Sequence, residues 1–179
     1  MMHIKVLRRK SSYDFRVDPN KDGFDNNWKN NSQDTLVLMD DGAELYRCEC
    51  QSVANYCFGD MATADTVAHG DTIAPGEFQV RCFVDPRSFH GEVHAIIRTR
   101  DIDGQWIDHN AMQTTDGGFQ NGRWLIHTRY SKKYGEDTVH AWSAGCIIIS
   151  SFDMEGLNTI LRACGVKDGD IIFGEILEV

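Results

Sequence analysis

Apolar residues with a two-residue period, cut at intervals by turn pairs, fill the chain from Thr35 onward, and this spacing calls for strands. "TLVLMD" and "AELYRCECQSV" flank Asp41-Gly42, a pair suited to a tight hairpin because both positions tolerate a positive φ. "TIAPGEFQVRCFV" reads as the next strand, reached through Pro75-Gly76. "EVHAIIRTR" and "QWIDHNAM" follow, parted by Asp103-Gly104. "GGFQNG" reads as a Gly/Asn loop, "RWLIHT" as a short buried strand and "GDIIFGEILEV" as the last strand. A single segment has helical spacing. "SSFDMEGLNTILRACG" carries a Ser or Asp cap, apolar residues at Leu157, Ile160 and Leu161, and Gly165 as its stop. The expected architecture is mainly β, a β-sandwich or partly closed barrel, with one C-terminal helix.

The 179 residues suit one domain with at most an appendage. Residues 1–34 are expected to be an Asn/Asp-rich leader, and residues 35–179 the folded domain. Within the leader, "DPNKDG" (Asp18, Asn20, Asp22, Gly23) imitates the opening of a calcium loop. The position that should carry a bidentate glutamate is Lys29, and Asp25 occupies a usually apolar one, which favours an Asx-rich turn. A net charge of −9, with no basic run longer than Arg8-Arg9-Lys10, argues against nucleic acid or an anionic membrane as partner. No apolar run approaches a membrane span, and "MMHIKVLRRKSSYDF" has no secretory core, so synthesis in the cytoplasm is expected. The six cysteines (48, 50, 57, 82, 146, 164) are expected to be mostly reduced. Cys48 and Cys50 share a strand face, and no second ligand pair at zinc spacing accompanies them. No cofactor or metal is expected.

The segment "WSAGCIIIS" sets Cys146 behind a small-residue turn, Ser143-Ala144-Gly145, and ahead of three isoleucines. A thiol becomes a nucleophile beside an imidazole or backbone N–H dipoles, and Gly145 permits a tight turn that exposes such groups. A buried cysteine at the head of a core strand would look the same. From this segment alone the two readings are equal. All seven histidines (3, 69, 90, 94, 109, 127, 140) precede Cys146, so any pair runs His first, then Cys, which excludes the papain order. His127 closes "RWLIHT", where a strand would hold its ring rigidly, as a general base requires. His140, six residues before Cys146, is a candidate either to support the pair from behind or to lie on the surface, and His109 in "IDHNAM" is a candidate for the same cleft.

"IHTRYSKKYGEDTVHAWSAGCIII" resembles the active-site signature of the L,D-transpeptidase catalytic-domain family: a histidine, a spacer, then Ser/Thr-His-Gly-Cys. Fifteen residues, 128 to 142, separate His127 from Ser143, and Ser143, Gly145 and Cys146 fall in register. "DTIAPGEFQV" is similar to the family's Thr-Pro-x-Gly-x-Phe segment through Pro75, Gly76 and Phe78. The resemblance covers roughly residues 35 to 179. Two positions depart from it. Ala144 stands where the family has histidine, and Ile148 where Arg or Asn commonly follows.

The resemblance implies acyl transfer on peptidoglycan stem peptides without a cofactor. Cys146 would be the nucleophile and His127 the base, oriented by a carbonyl near Thr128. Backbone N–H groups of Gly145 and Cys146 would hold the oxyanion, with Ser143 bracing the turn. An amine acceptor would give transpeptidation or D-amino-acid exchange, and water an L,D-carboxypeptidase or endopeptidase. Ala144 and Ile148 tilt the expectation towards hydrolysis or exchange. The family acts in the periplasm or cell wall, so export or release by another system would be required, as for a phage lysis protein or an injected antibacterial effector. The rival reading is a non-catalytic module binding cell-wall peptides or a protein, with Cys146 inert. A caspase-like protease also orders His before Cys, but it needs alternating strands and helices. The segment "MQTTDGGFQNG" is a candidate lid over the cleft.

Overall fold

The computed structural model describes residues 1–14, 34–54, 72–84, 92–107, 111–115, 117–120, 124–128, 143 and 145–179. The calcium-like segment, Cys57, Ala144 and the histidines 69, 90, 109 and 140 lie outside the described residues.

Strand β1 (Met2–Arg8) pairs in parallel with β10 (Ile171–Glu178) and antiparallel with β2 (Asp34–Asp40). The segment expected to be a leader therefore contributes a strand to the middle of the sheet. Its residues alternate as strand residues do, with Ile4 and Val6 in the core and Lys5 outside, ion-paired at 3.4 Å to Glu175. The sequence hides this because only seven residues are involved, followed by a polar tract.

The β2–β3 (Ala43–Cys50) hairpin turns on Asp41 and Gly42, both at positive φ. Strand β4 (Gly76–Val84) joins β10 to β5 (Val93–Thr99). The short strands β8 (Leu125–Thr128) and β9 (Ile147–Ile149) complete the sheet, paired with each other in parallel. The order is β3-β2-β1-β10-β4-β5-β8-β9. Its two ends meet: Gln51, just past β3, exchanges backbone hydrogen bonds of 2.9 Å in both directions with Ile148 of β9. The result is a mainly β protein whose sheet is a nearly closed barrel, with one C-terminal helix, α1 (Ser151–Ala163).

"GGFQNG" corrects one expectation. Gly117–Gln120 forms β7, paired with β6 (Ala111–Thr114) as a separate hairpin. The backbone of residues 72–74 anchors it through Ala74 N–H to the Gln113 carbonyl and Thr115 N–H to the Thr72 carbonyl, both 2.9 Å. Glycines without side-chain preference pair here because a neighbouring backbone offers the ladder.

Inside the barrel, Leu36, Leu38, Cys48, Cys50, Phe78, Val80, Ile126, Ile147 and Ile149 join Met154, Leu157 and Leu161 of α1 in one apolar cluster. The helix begins where Ser150 Oγ accepts the Asp153 N–H at 3.1 Å. It ends in a left-handed Gly165 (φ 86°), with Val166 N–H reaching back 3.0 Å to the Leu161 carbonyl. At the N-terminal side, the fully buried Arg8 donates from Nε to Ser52 Oγ (2.8 Å), and from its Nη atoms to the carbonyls of Ile73 (2.8 Å) and Ser52 (2.9 Å). Ser52 Oγ in turn donates to buried Asp34 at 2.6 Å. A guanidinium can be buried in this way because its donors are matched by acceptors.

Phe78 is fully buried and faces Gly174 across β4 and β10. A Cβ on Gly174 would lie 2.3 Å from the ring. Gly174→Ala should therefore lower the unfolding free energy by about 1–3 kcal/mol through overpacking. Phe78→Leu in the same chain should recover part of that loss, and additive losses by urea denaturation would contradict this packing.

Candidate active site

Strand alternation separates two faces at β8 and β9. Trp124, Ile126, Ile147 and Ile149 point into the apolar cluster. His127 and Ile148 alternate with them and so occupy the opposite face; the two are register partners across the parallel pair. Cys146 lies immediately before β9, beside Leu125, whose backbone N–H its sulfur accepts. The structure thus brings His127 and Cys146 to neighbouring stretches of backbone, His127 in β8 and Cys146 at the entry to β9.

The thiol is half-buried, and its sulfur accepts the Leu125 N–H at 3.4 Å. An N–H aimed at sulfur favours the thiolate. His127 is buried, and its Nδ1 lies 2.6 Å from the Thr128 carbonyl. A carbonyl can only accept, so Nδ1 carries the proton and Nε2 is the acceptor nitrogen of the ring. Burial pushes the His127 pKa down to about 4, against a smaller upward pull from the Thr128 carbonyl. The imidazole is therefore neutral at pH 7.

Ser143 is buried and braces the turn from both sides: its Oγ donates to the Cys146 carbonyl (2.9 Å) and accepts the Gly145 N–H (3.1 Å). Gly145 sits at φ 128°, a conformation that excludes side chains. This geometry corrects one expectation. The Gly145 N–H, expected to face an oxyanion, is donated to Ser143 Oγ. The departing residue Ile148 is fully buried between His127 and Gln51 in the register. Two contributors carried no readable sequence signal. Leu125 acts through its backbone, and Gln51 arrives by a pairing across 97 positions (148 − 51).

A cleft of about 870 Å³ runs along α1, lined by Glu92, Thr128, Phe152, Asn158 and Arg162 among others. It lies on the helix side of the sheet, and neither Cys146 nor His127 lines it, so its size gives it no claim to the chemistry. Nearby, fully buried His94 accepts the Phe83 N–H at Nδ1 (3.1 Å) and meets Asn158 Oδ1 through Nε2 (2.7 Å). Burial also lowers its pKa to about 4. Among the described residues, no cluster of His, Cys, Asp or Glu could hold a metal ion. Among the described residues, cysteines 48, 50, 82, 146 and 164 form no disulfide with one another, and burial raises the Cys82 pKa to about 12.

Fold and site together define a mainly β protein carrying a cysteine and a neutral, carbonyl-anchored histidine on adjoining strands. No family model matches the chain, and no solved structure matches it. It is 53% identical over 180 residues to a protein of Treponema pallidum (strain Nichols) described as an uncharacterized protein, across 99% of this chain and 81% of that one. The chain belongs to that protein's family. No helix among the described residues is long and apolar enough to cross a membrane.

Both buried histidines have folded pKa values near 4 against an ordinary 6.5, so the unfolded chain binds more protons than the folded one between those values. Stability should be complete above about pH 6.5 and fall as pH drops towards 4. His127→Gln should remove close to one proton from the linkage slope around pH 5, measured by urea denaturation. Equal slopes in the two proteins would contradict a buried neutral His127.

Proposed function

We propose that the chain is a cysteine-dependent acyltransferase or hydrolase acting on peptidoglycan stem peptides, in the manner of the L,D-transpeptidase family. The observation that carries this reading is the placement of Cys146 at the entry to β9, bonded to the backbone of the strand that carries His127, with the imidazole's Nδ1 anchored on the Thr128 carbonyl. Because burial disfavours imidazolium, the resting imidazole is neutral. The proton then moves to Nε2 as sulfur attacks, not beforehand. The Cys146 sulfur forms a bond to the carbonyl carbon of an L,D peptide linkage, and the Cys146 N–H stabilises the resulting oxyanion. Collapse breaks the C–N bond, and His127 returns its proton to the departing amine. The thioester is released by an amine, completing transpeptidation or exchange, or by water, completing hydrolysis.

Ile148 fills with aliphatic carbon the place where the family commonly has Arg or Asn, which favours hydrolysis or exchange over cross-linking. Substrate lies outside the cytoplasmic membrane, so the reading requires export or release by another system. The runner-up is a non-catalytic module that binds wall peptides.

Purified peptidoglycan digested by the wild type should lose terminal D-alanine or cross-links, resolved by mass spectrometry of the stem peptides, while Cys146→Ala leaves them intact. His127→Ala should slow the reaction by about 10²–10⁴-fold. Unchanged stem peptides with the wild type, together with a thiol inert to alkylation, would favour the binding module.

A further inference from the structure

Gln51 is 1% exposed, and its side-chain carbonyl Oε1 has no hydrogen-bond partner among the described residues. Its Nε2 donates to the Val53 carbonyl at 3.3 Å. Turning the amide over would set two oxygens against each other, so the orphan is the acceptor end. A buried amide oxygen left unmatched is costly, and folds retain one where something else completes it.

Its position says what that is. Gln51 and Ile148 form a directly opposed antiparallel pair, so their side chains share a face. Ile148 shares that face with His127, its register partner. His127, Ile148 and Gln51 therefore form one row across the sheet, with Cys146 entering β9 two residues before Ile148. Cys50 points the other way, into the apolar cluster. Gln51 is also held still: its backbone is paired to Ile148, and the next residue, Ser52, is bonded to both Arg8 and Asp34.

We propose that Gln51 positions the acyl-donor peptide, its Oε1 accepting the backbone N–H of the residue whose carbonyl Cys146 attacks. The inference rests on the peptide-acylation reading above and adds a specific acceptor to it. Ile148 offers no polar atom at its own position, and Gln51 supplies one from the adjoining strand.

The test is a cycle of two proteins and two probes. One probe is a stem-tripeptide chloromethyl ketone, which alkylates Cys146 with loss of chloride. The other is its analogue with an ester oxygen replacing the N–H in question. Wild type should react about tenfold faster with the amide than with the ester, whereas Gln51→Leu should no longer distinguish them. N-ethylmaleimide should label both proteins at the same rate, because the nucleophile is untouched. If Gln51→Leu fails to fold, Gln51→Met repeats the measurement. Discrimination that survives in the variant, or is absent from wild type, overturns the role of Gln51 while leaving the acylation reading standing. Labelling by N-ethylmaleimide alone, with neither peptide probe reacting, overturns the acylation reading and this inference with it.

Discussion

The pair of backbone hydrogen bonds between Gln51 and Ile148 is the constraint on which the candidate site depends. Strand β9 has three residues and β8 four, too few to be stable as an unsupported sheet edge. Closure gives β9 a second neighbour and fixes Ile148, hence Cys146 two residues before it. The other side of the closure is secured in turn, since Ser52 links buried Arg8 to buried Asp34. A line of backbone and polar contacts thus runs from the first strand of the chain to the thiol. It also accounts for why the N-terminal segment belongs to the barrel.

Closure sorts the residues of the last strands into two environments. One face feeds the apolar cluster shared with α1. The other collects the neutral His127, Ile148 and Gln51, with Cys146 at the entry to β9. The same burial that holds the His127 ring still makes it a weak base, since imidazolium is poorly solvated there. Under the proposed acylation reading, reactivity would depend on substrate placement, to which the unmatched Gln51 Oε1 would contribute.

Much of this was legible in the residues. The period-two runs, Asp41-Gly42 and the Ser150–Gly165 helix signals translate directly into local structure, because each depends on neighbours a few positions apart. His127, Ser143, Gly145 and Cys146 were also visible, as a spaced set. What escaped depends on distant pairing. Met2–Arg8 looked like part of a polar leader until β10 and β2 flanked it. Gly117–Gln120 has little strand preference and pairs because Ala111–Thr114 lies alongside. The Gly145 N–H could be assigned to an oxyanion only while the direction of the Ser143 hydroxyl was unknown.

The central claim is that Cys146 becomes acylated by a peptide. The most direct measurement mixes the protein with a tetrapeptide stem, quenches in acid within the first turnovers and weighs the intact chain. The account predicts a mass increase equal to the acyl tripeptide, located on the Cys146 peptide and released by hydroxylamine. An unmodified chain at every time point, with the stem peptide unconsumed, would contradict it.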